Sequence, residues 1–283
     1  GWPRVLVADR RQEETRRAGL FSPQLTQLLR SDKRVVCVLN RKGRAKMLAC
    51  ATCGELARTE SGEHLMSEVD GVLRSDVTGE ERPLVCASCT GTSLKRLRLG
   101  VGRAAEELSA LVGEPVADLS VDGVELTRVV VGTEAALHTG GRADAVAFLD
   151  LDQELLAPRY RAGEQAMALI ARAARLVGAD GVLLLQTRAP EHRVVRAALQ
   201  SNPSGFAAAE ERVRRAAGWP PYRAMAEISG PPADAFVAPL LERFDVDVLG
   251  PRPDGRYLLR AASPRELADV LADTPRPKGR LRV

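Results

Sequence analysis

The sequence predicts an α/β fold in which helices alternate with the strands of a parallel sheet. Segments 34–40 and 181–186 are almost wholly apolar and rich in β-branched or leucine residues, which is typical of strands buried on both faces. Between them, Gly163 to Val177 is rich in alanine and has no internal glycine or proline, as expected for a helix. Strands that alternate with helices favour a parallel sheet joined by right-handed crossovers.

Other segments repeat this order along the chain. A serine before Pro23 is a helix-start signal. The remaining elements predicted for the sheet domain are a helix containing 106–108, a strand at 127–131 that ends at Gly132, and a strand at 145–150. Residues 46–96 break the rhythm and are interpreted as an insertion.

A second unit is predicted after the sheet domain. It begins with a charged helix from Phe206 to Ala217 and the turn Gly218-Trp219-Pro220-Pro221-Tyr222. Two interpretations of the turn aromatics stay open: they stack on a nucleic-acid base or they pack on their own domain. We place the boundary near residues 203–206, so that the domains are 1–203 and 204–283.

Composition limits the classes of function. The chain has 283 residues, 45% hydrophobic and 28% charged, which excludes disorder throughout and allows a core without disulfides. The net charge of +4 permits a nucleic-acid partner without demanding one. Five Phe, two Trp and three Tyr leave few residues for base stacking.

The sequence gives no sign of a membrane segment. No apolar run approaches the ~18 residues of a membrane span, and the N-terminus lacks the basic-then-apolar order of a signal peptide. We therefore expect a cytoplasmic protein with no membrane partner. Disulfides are not expected in that compartment, so the five cysteines are interpreted as core residues or metal ligands.

Four of the cysteines form two C-x2-C pairs within the insertion. Cys50 and Cys53 are separated by 32 residues from Cys86 and Cys89. Two such pairs can complete a tetrahedral thiolate shell around one ion, and a closed shell of that kind is structural rather than catalytic. Four buried free cysteines and a redox dithiol are the alternatives. Cys37, in a predicted strand, is interpreted as a core residue, and the fifth candidate ligand, His64, as a loop residue.

The motifs together resemble one known family. The chain is similar to the C-terminal half of the PriA family of primosomal replication-restart proteins, in a form typical of high-GC actinobacteria. The resemblance rests on the cysteine insertion and on the order of short motifs, namely Phe21-Ser22-Pro23, Val38-Leu39-Asn40-Arg41-Lys42-Gly43, Val131-Gly132-Thr133-Glu134, Leu149-Asp150-Leu151-Asp152, Leu185-Gln186-Thr187, Pro190-Glu191-His192 and Gly218-Trp219-Pro220-Pro221-Tyr222.

The resemblance implies a RecA-like second helicase lobe with a zinc-binding insertion, followed by a small α/β domain. It implies contacts with forked or branched DNA, with single-strand-binding protein and with other primosome proteins. Family members usually hold two zinc ions with four cysteine pairs. This chain matches only the outer pairs and has no cysteine between residues 54 and 85, so one structural zinc per chain is expected.

The same resemblance raises the question of ATP hydrolysis. No G-x-x-x-x-G-K-[ST] string occurs in the 283 residues. The family's arginine-finger string has lost its glycines here, and its arginines, Arg172 and Arg175, are displaced by one position, which on a helix rotates a side chain by ~100°. Gly132 and Thr133 stand where the family approaches nucleotide and nucleic acid. We therefore expect a lobe without ATP chemistry that acts as a scaffold.

Basic clusters supply candidate phosphate contacts of the kind that bind nucleic acid without regard to base sequence. The candidates are Arg41, Lys42, Arg44 and Lys46, then Lys95, Arg96, Arg98 and Arg103, and finally the tail cations Arg276, Lys278, Arg280 and Arg282, all expected to lack acidic neighbours. A solvated charged face is the alternative for each cluster. Two other functions stay open: an ATP-driven 3′-to-5′ helicase whose first lobe is absent from this chain, and a zinc-ribbon module that binds only proteins.

Overall fold

A computed structural model describes residues 1–11, 21–40, 48–62, 64–75, 78–96, 101–157, 159–252 and 254–283. The chain divides into two compact units, Gly1–Phe206 and Ala207–Val283. No helix in these described ranges is both long and apolar enough to cross a membrane.

The first unit is built on strands and helices that alternate. Its elements are β1 (Arg4–Asp9), α1 (Pro23–Leu29), β2 (Val35–Val38), β3 (Leu48–Cys50), β4 (Ser67–Val69), β5 (Val72–Arg74), β6 (Glu81–Pro83), β7 (Leu94–Arg96), α2 (Val101–Val112), β8 (Ala117–Asp118), β9 (Val129–Gly132), α3 (Ala136–Thr139), β10 (Ala145–Phe148), α4 (Asp152–Leu155), α5 (Ala162–Val177), β11 (Val182–Thr187) and α6 (Arg193–Leu199). The helix α7 (Pro203–Ala217) follows.

Six parallel strands form the central sheet, in the order β1-β11-β10-β2-β9-β8. The predicted α/β class is confirmed. β2, β9 and β10 are buried along their whole length, and apolar side chains of the helices cover both faces of the sheet. Sequence analysis missed the edge strand β1, although Val5-Leu6-Val7-Ala8 carries an apolar signal.

A buried polar network lies where β10 and β11 end, at the carboxyl edge of the sheet. The Asp152 side chain is fully buried and accepts hydrogen bonds from the Thr187 hydroxyl and from the Arg188 backbone N–H, the latter at 2.8 Å. Gln186 donates to the Leu149 carbonyl oxygen at 3.0 Å. These contacts tie the chain after β10 to the end of β11.

The insertion between β2 and α2 contains two small antiparallel sheets, β3-β7 and β4-β5-β6. Leu48, Ala57, Met66 and Leu73 form a buried apolar cluster between them. Arg82, on β6, ties the sheet β4-β5-β6 to the rest of the insertion. Its guanidinium donates to the Val85 carbonyl oxygen at 2.6 Å and to the Arg58 carbonyl oxygen at 3.2 Å.

The second unit has its own sheet and core. It contains β12 (Ala224–Ile228), α8 (Ala233–Arg243), β13 (Asp247–Leu249), β14 (Tyr257–Ala261) and α9 (Pro264–Asp273). The three strands pair antiparallel in the order β12-β14-β13 around a core that includes Phe236 and Leu259. The tail is attached to β12 by a backbone bridge between Ser229 and Arg282.

Candidate metal centre

The four cysteines of the two C-x2-C pairs converge at one point. Their sulfur atoms all lie within 4.8 Å of one another. The Cys50 and Cys89 sulfurs are 3.5 Å apart, and so are those of Cys53 and Cys86. These separations are too long for disulfide bonds, and all four thiols are free. They approach the edge of about 3.8 Å that a tetrahedron with metal–sulfur bonds of about 2.3 Å would have.

Each pair sits on a tight turn, and the two turns have the same backbone pattern. In the first, the Gly54 N–H donates to the Cys50 carbonyl oxygen at 3.0 Å and the Cys50 N–H to the Glu55 carbonyl oxygen at 2.8 Å. In the second, the corresponding distances are 3.0 Å from Thr90 to Cys86 and 2.9 Å from Cys86 to Gly91. The equal hydrogen bonding explains why a gap of two residues aims both sulfurs of a pair at one point.

Little space is left for a side chain where the second turn approaches the sulfurs. A Cβ atom on Gly91 would lie 3.3 Å from the sulfurs of both Cys50 and Cys89. The residue after each second cysteine has a left-handed backbone, with φ of 76° at Gly54 and 57° at Thr90. Glycine adopts that conformation freely, whereas a β-branched residue is strained in it.

The strain at Thr90 gives a prediction. Replacing Thr90 with glycine is expected to raise the free energy of unfolding of the metal-bound chain by about 0.5–1 kcal/mol, because the relieved strain exceeds the added entropy of the unfolded chain. Denaturant unfolding with saturating metal measures the difference. Thr52→Gly is the matched control in the other turn. Since Thr52 is not among the residues with positive φ, its replacement should destabilise the chain. Loss of stability in Thr90→Gly would contradict this account of the turn.

The thiols have opposed tendencies to ionise. Burial works against ionisation of Cys50, but hydrogen bonds from the backbone N–H groups of Cys53 and Thr52 outweigh it and lower the pKa of this thiol to about 6. Burial, aided by hydrogen bonds with the neighbouring thiols, raises the pKa of Cys53 to about 12. Cys53 therefore stays protonated at pH 7 unless a cation lies among the sulfurs.

The arrangement fits a metal ion. Four thiolates suit soft or borderline ions such as zinc, and they would leave no coordination position for water or substrate. Such a site would hold two distant parts of the insertion together and would not activate water.

The metal centre is joined to the main sheet domain through the insertion. Ala49 and Leu56, which flank the first pair, belong to the same apolar cluster as the buried residues of β10 and β11. The Arg58 guanidinium donates to the Arg188 carbonyl oxygen at 3.0 Å. Burial, followed by the charges of Arg193 and Arg58, lowers the pKa of His192 in the loop after β11 to about 4, so its ring is neutral at pH 7.

The basic residues predicted to contact DNA are described only in part. Arg41, Lys42, Arg44, Lys46 and Arg98 lie outside the described residues, and of Arg96 only the backbone is described. Lys95 is exposed on β7. Arg103 is exposed but forms an ion pair with Glu107, with 2.9 Å between Nε and Oε1. The expectation that this cluster lacks acidic neighbours is therefore wrong for Arg103, because Glu107 lies one turn away on α2.

The degenerate nucleotide-motif positions are at opposite edges of the sheet. Gly132 ends β9 and Thr133 follows it, at the carboxyl edge. Arg172 and Arg175 lie in the second half of α5, which ends at Val177 before β11 begins, and thus toward the amino edge. Arg172 is half-buried and Arg175 is exposed. The fold does not bring these two pairs of residues together.

Three further residues singled out in the sequence lie outside the cysteine group. Cys37 is fully buried in β2, and burial raises the pKa of its thiol to about 12. His64 lies outside the group of ligand atoms formed by the described cysteines. The Tyr222 hydroxyl donates to Glu211 at 2.7 Å, and the Arg215 guanidinium lies 4.6 Å from the centre of its ring. The ring of Tyr222 is therefore covered on one side within its own unit.

The fold and the site define a class of protein: a parallel α/β domain that carries an inserted element with four converging cysteines, which could hold a metal ion. No family model matches the chain. It is similar to three curated proteins named Replication restart protein PriA. The identity is 27% to that of Thermotoga maritima, over 80% of this chain and 34% of the relative, and 27% to that of Haemophilus influenzae, over 72% and 32%. It is 22% to that of Bacillus subtilis, over 80% and 32%.

These matches confirm the resemblance to PriA proteins identified from the sequence. The chain spans about a third of the length of the curated relatives it matches.

Proposed function

We propose that the chain acts in replication restart as a zinc-stabilised scaffold that binds branched or forked DNA without hydrolysing ATP. One zinc ion would be held by Cys50, Cys53, Cys86 and Cys89. In this proposal residues 1–203 are a RecA-like second helicase lobe, and residues 204–283 contact DNA and protein partners. Those partners would be single-strand-binding protein and other primosome proteins, by analogy with the family, in the cytoplasm.

The pairing of β3 with β7 is the observation that carries the DNA-binding proposal. In its register Leu48 lies opposite Arg96, and Ala49 opposite Lys95. Lys95 is exposed on β7, and in the sequence both paired strands adjoin a basic cluster, since Leu48 comes two residues after Lys46. An exposed lysine on a strand that adjoins basic sequence favours binding to a phosphate backbone.

The tail of the second unit offers further phosphate contacts. Arg276, Lys278, Arg280 and Arg282 are all exposed, and Arg282 is held to β12 by the backbone bridge to Ser229. Leu281 packs against the core of that unit, so the alternating arginines on either side of it face solvent. An ordered stripe of exposed cations supports a role in DNA contact.

Two arguments support the absence of ATP hydrolysis in this chain. It contains no P-loop string. Arg172 and Arg175 lie toward the opposite edge of the sheet from Gly132 and Thr133. An arginine at the nucleotide is the group that helicase lobes of this family use to stabilise a transferring phosphoryl group. DNA-stimulated ATP hydrolysis by the full-length natural protein would favour the helicase alternative instead.

Binding of a fluorescent forked DNA at several salt concentrations tests the proposal. If four or more phosphates are contacted, the association constant should fall about a hundredfold between 50 and 200 mM salt. Lys95→Glu should weaken binding and reduce the slope of log affinity against log salt by about one or more. Lys33→Glu is the matched control, since Lys33 is also exposed in the first unit but lies outside the clusters. A flat salt response would favour a protein-binding module.

A further inference from the structure

One aromatic side chain is exposed. All ten aromatic residues of the chain lie in the described ranges, and nine of them are buried or half-buried. Tyr160 is the exception, with 47% of its surface accessible. Single exposed apolar side chains are ordinary, but an accessible aromatic ring is a side chain on which a nucleic-acid base can stack.

The loop that carries Tyr160 lies at the carboxyl edge of the sheet. It connects α4, which follows β10, to the start of α5. Since α5 runs back from this edge toward the amino edge, Tyr160 stands on the same side of the sheet as the ends of β2 and β11. The neighbouring residues are two arginines, Arg159 and Arg161.

A buried glutamate fixes this loop to β2. Only 4% of Glu154 is exposed, and one of its carboxylate oxygens accepts a hydrogen bond from the Asn40 side-chain amide at 2.5 Å. The other accepts one from the Arg159 guanidinium at 2.9 Å. Glu154 therefore positions the loop beside Asn40, the residue that directly precedes Arg41 and Lys42 in the sequence.

The arginines of the loop already have anionic partners. Arg159 pairs with Glu154, and Arg161 pairs with Glu164, with 3.0 Å between Nε and Oε2. Arg161 also hydrogen-bonds with Tyr160. Because the two positive charges are balanced, this loop would release few counterions on meeting DNA. Its distinctive contribution is a flat, accessible ring whose two neighbours are held by ion pairs.

We propose that Tyr160 is a stacking platform for an unpaired base of single-stranded DNA, held in place by the Asn40–Glu154–Arg159 network. The inference rests on the proposed function and adds a residue that distinguishes single strands from duplex. Stacking accepts any base and is worth about 1–3 kcal/mol per base, whereas paired bases inside a duplex offer no free face.

The test compares variants of the 283-residue chain for binding to a fluorescent single-stranded oligothymidylate and to a blunt duplex of equal length. Tyr160→Ala should weaken single-strand binding about tenfold and leave duplex binding unchanged. The slope of log affinity against log salt should stay that of the wild type, because no phosphate contact is lost. Tyr160→Phe, which keeps the ring, should bind within about twofold of the wild type.

A matched control and a direct contact assay complete the test. Leu199→Ala removes a side chain of similar exposure, 48%, in the same unit and should have no effect. An oligonucleotide that contains 5-bromodeoxyuridine should crosslink under ultraviolet light to the peptide that includes Tyr160.

Two outcomes would overturn the inference, and they are distinguishable. If the wild type binds single-stranded DNA and Tyr160→Ala binds it with the same affinity, the stacking platform is rejected and the proposed function remains. Failure of the wild type to bind any DNA would reject the proposed function, and the stacking platform with it.

Discussion

Replacing Cys50 with serine is expected to abolish stoichiometric metal binding and to unfold the insertion. Three thiolates and a weakly bound hydroxyl hold zinc far less tightly than four thiolates, and the free energy of structural zinc binding, about 10–16 kcal/mol in small zinc domains, is coupled to folding. The two turns are joined through their four converging sulfurs, so β3 and β7 should lose protection when the ion is lost. Hydrogen exchange of the β3 and β7 amides measures this loss.

Cys37→Ala provides the control for that experiment. It also removes one thiol, but Cys37 lies in β2 and is not among the converging sulfurs. The control should keep the metal content of the wild type and the same protection in the insertion. Unchanged protection of β3 and β7 in Cys50→Ser would show that the apolar cluster of Leu48, Ala57, Met66 and Leu73 holds the insertion without a metal.

Replacing Asp152 with alanine is the second change with a large expected effect. It removes a fully buried carboxylate that accepts hydrogen bonds from Thr187 and from the Arg188 N–H, leaving both donors unsatisfied. Burial and the Asp152 charge raise the pKa of the neighbouring Asp150 to about 7. Removing the Asp152 charge relieves this repulsion and so offsets part of the destabilisation. We expect the free energy of unfolding of the first unit to fall by about 2–3 kcal/mol.

Urea denaturation followed by circular dichroism measures the change. Asp180→Ala is a suitable control because Asp180 is exposed in the same unit, and its effect should stay within about 0.5 kcal/mol. If Asp152→Ala lowers the free energy of unfolding no more than Asp180→Ala does, the ends of β10 and β11 do not depend on the buried carboxylate.

Features that depend on local sequence could be predicted well. The turns at the two C-x2-C pairs could be predicted because the spacing of two residues determines the geometry of each turn. The helix start at Pro23 is confirmed, with the Ser22 hydroxyl accepting from the Leu25 N–H at 3.1 Å. Strands β2, β9 and β10 could be recognised because burial on both faces requires continuous apolar segments.

One local signal was misread. The helix predicted from Phe206 begins at Pro203, because the Asn202 side chain caps it by accepting a hydrogen bond from the Gly205 N–H at 2.8 Å. Proline is favoured in the first turn of a helix, since its missing N–H would have no partner there. The boundary that we place near residues 203–206 therefore lies in the first turn of α7.

Features that depend on tertiary contacts could not be predicted. Asn40 and Glu154 are 114 residues apart in the chain, and only the parallel pairing of β2 with β10 brings them together. The exposure of Tyr160 likewise follows from the packing of the fold rather than from residue type. The register of β3 with β7 could not be read from short strands without a distinct pattern.

The metal content of the purified chain tests the central claim most directly. We expect elemental analysis to find one zinc ion per chain, removed by a chelator together with the order of the insertion and restored when zinc is added back. Cys37→Ala should retain that ion. A chain that is folded in the insertion but holds no metal, or one that holds two ions, would contradict a single centre built from these four sulfurs.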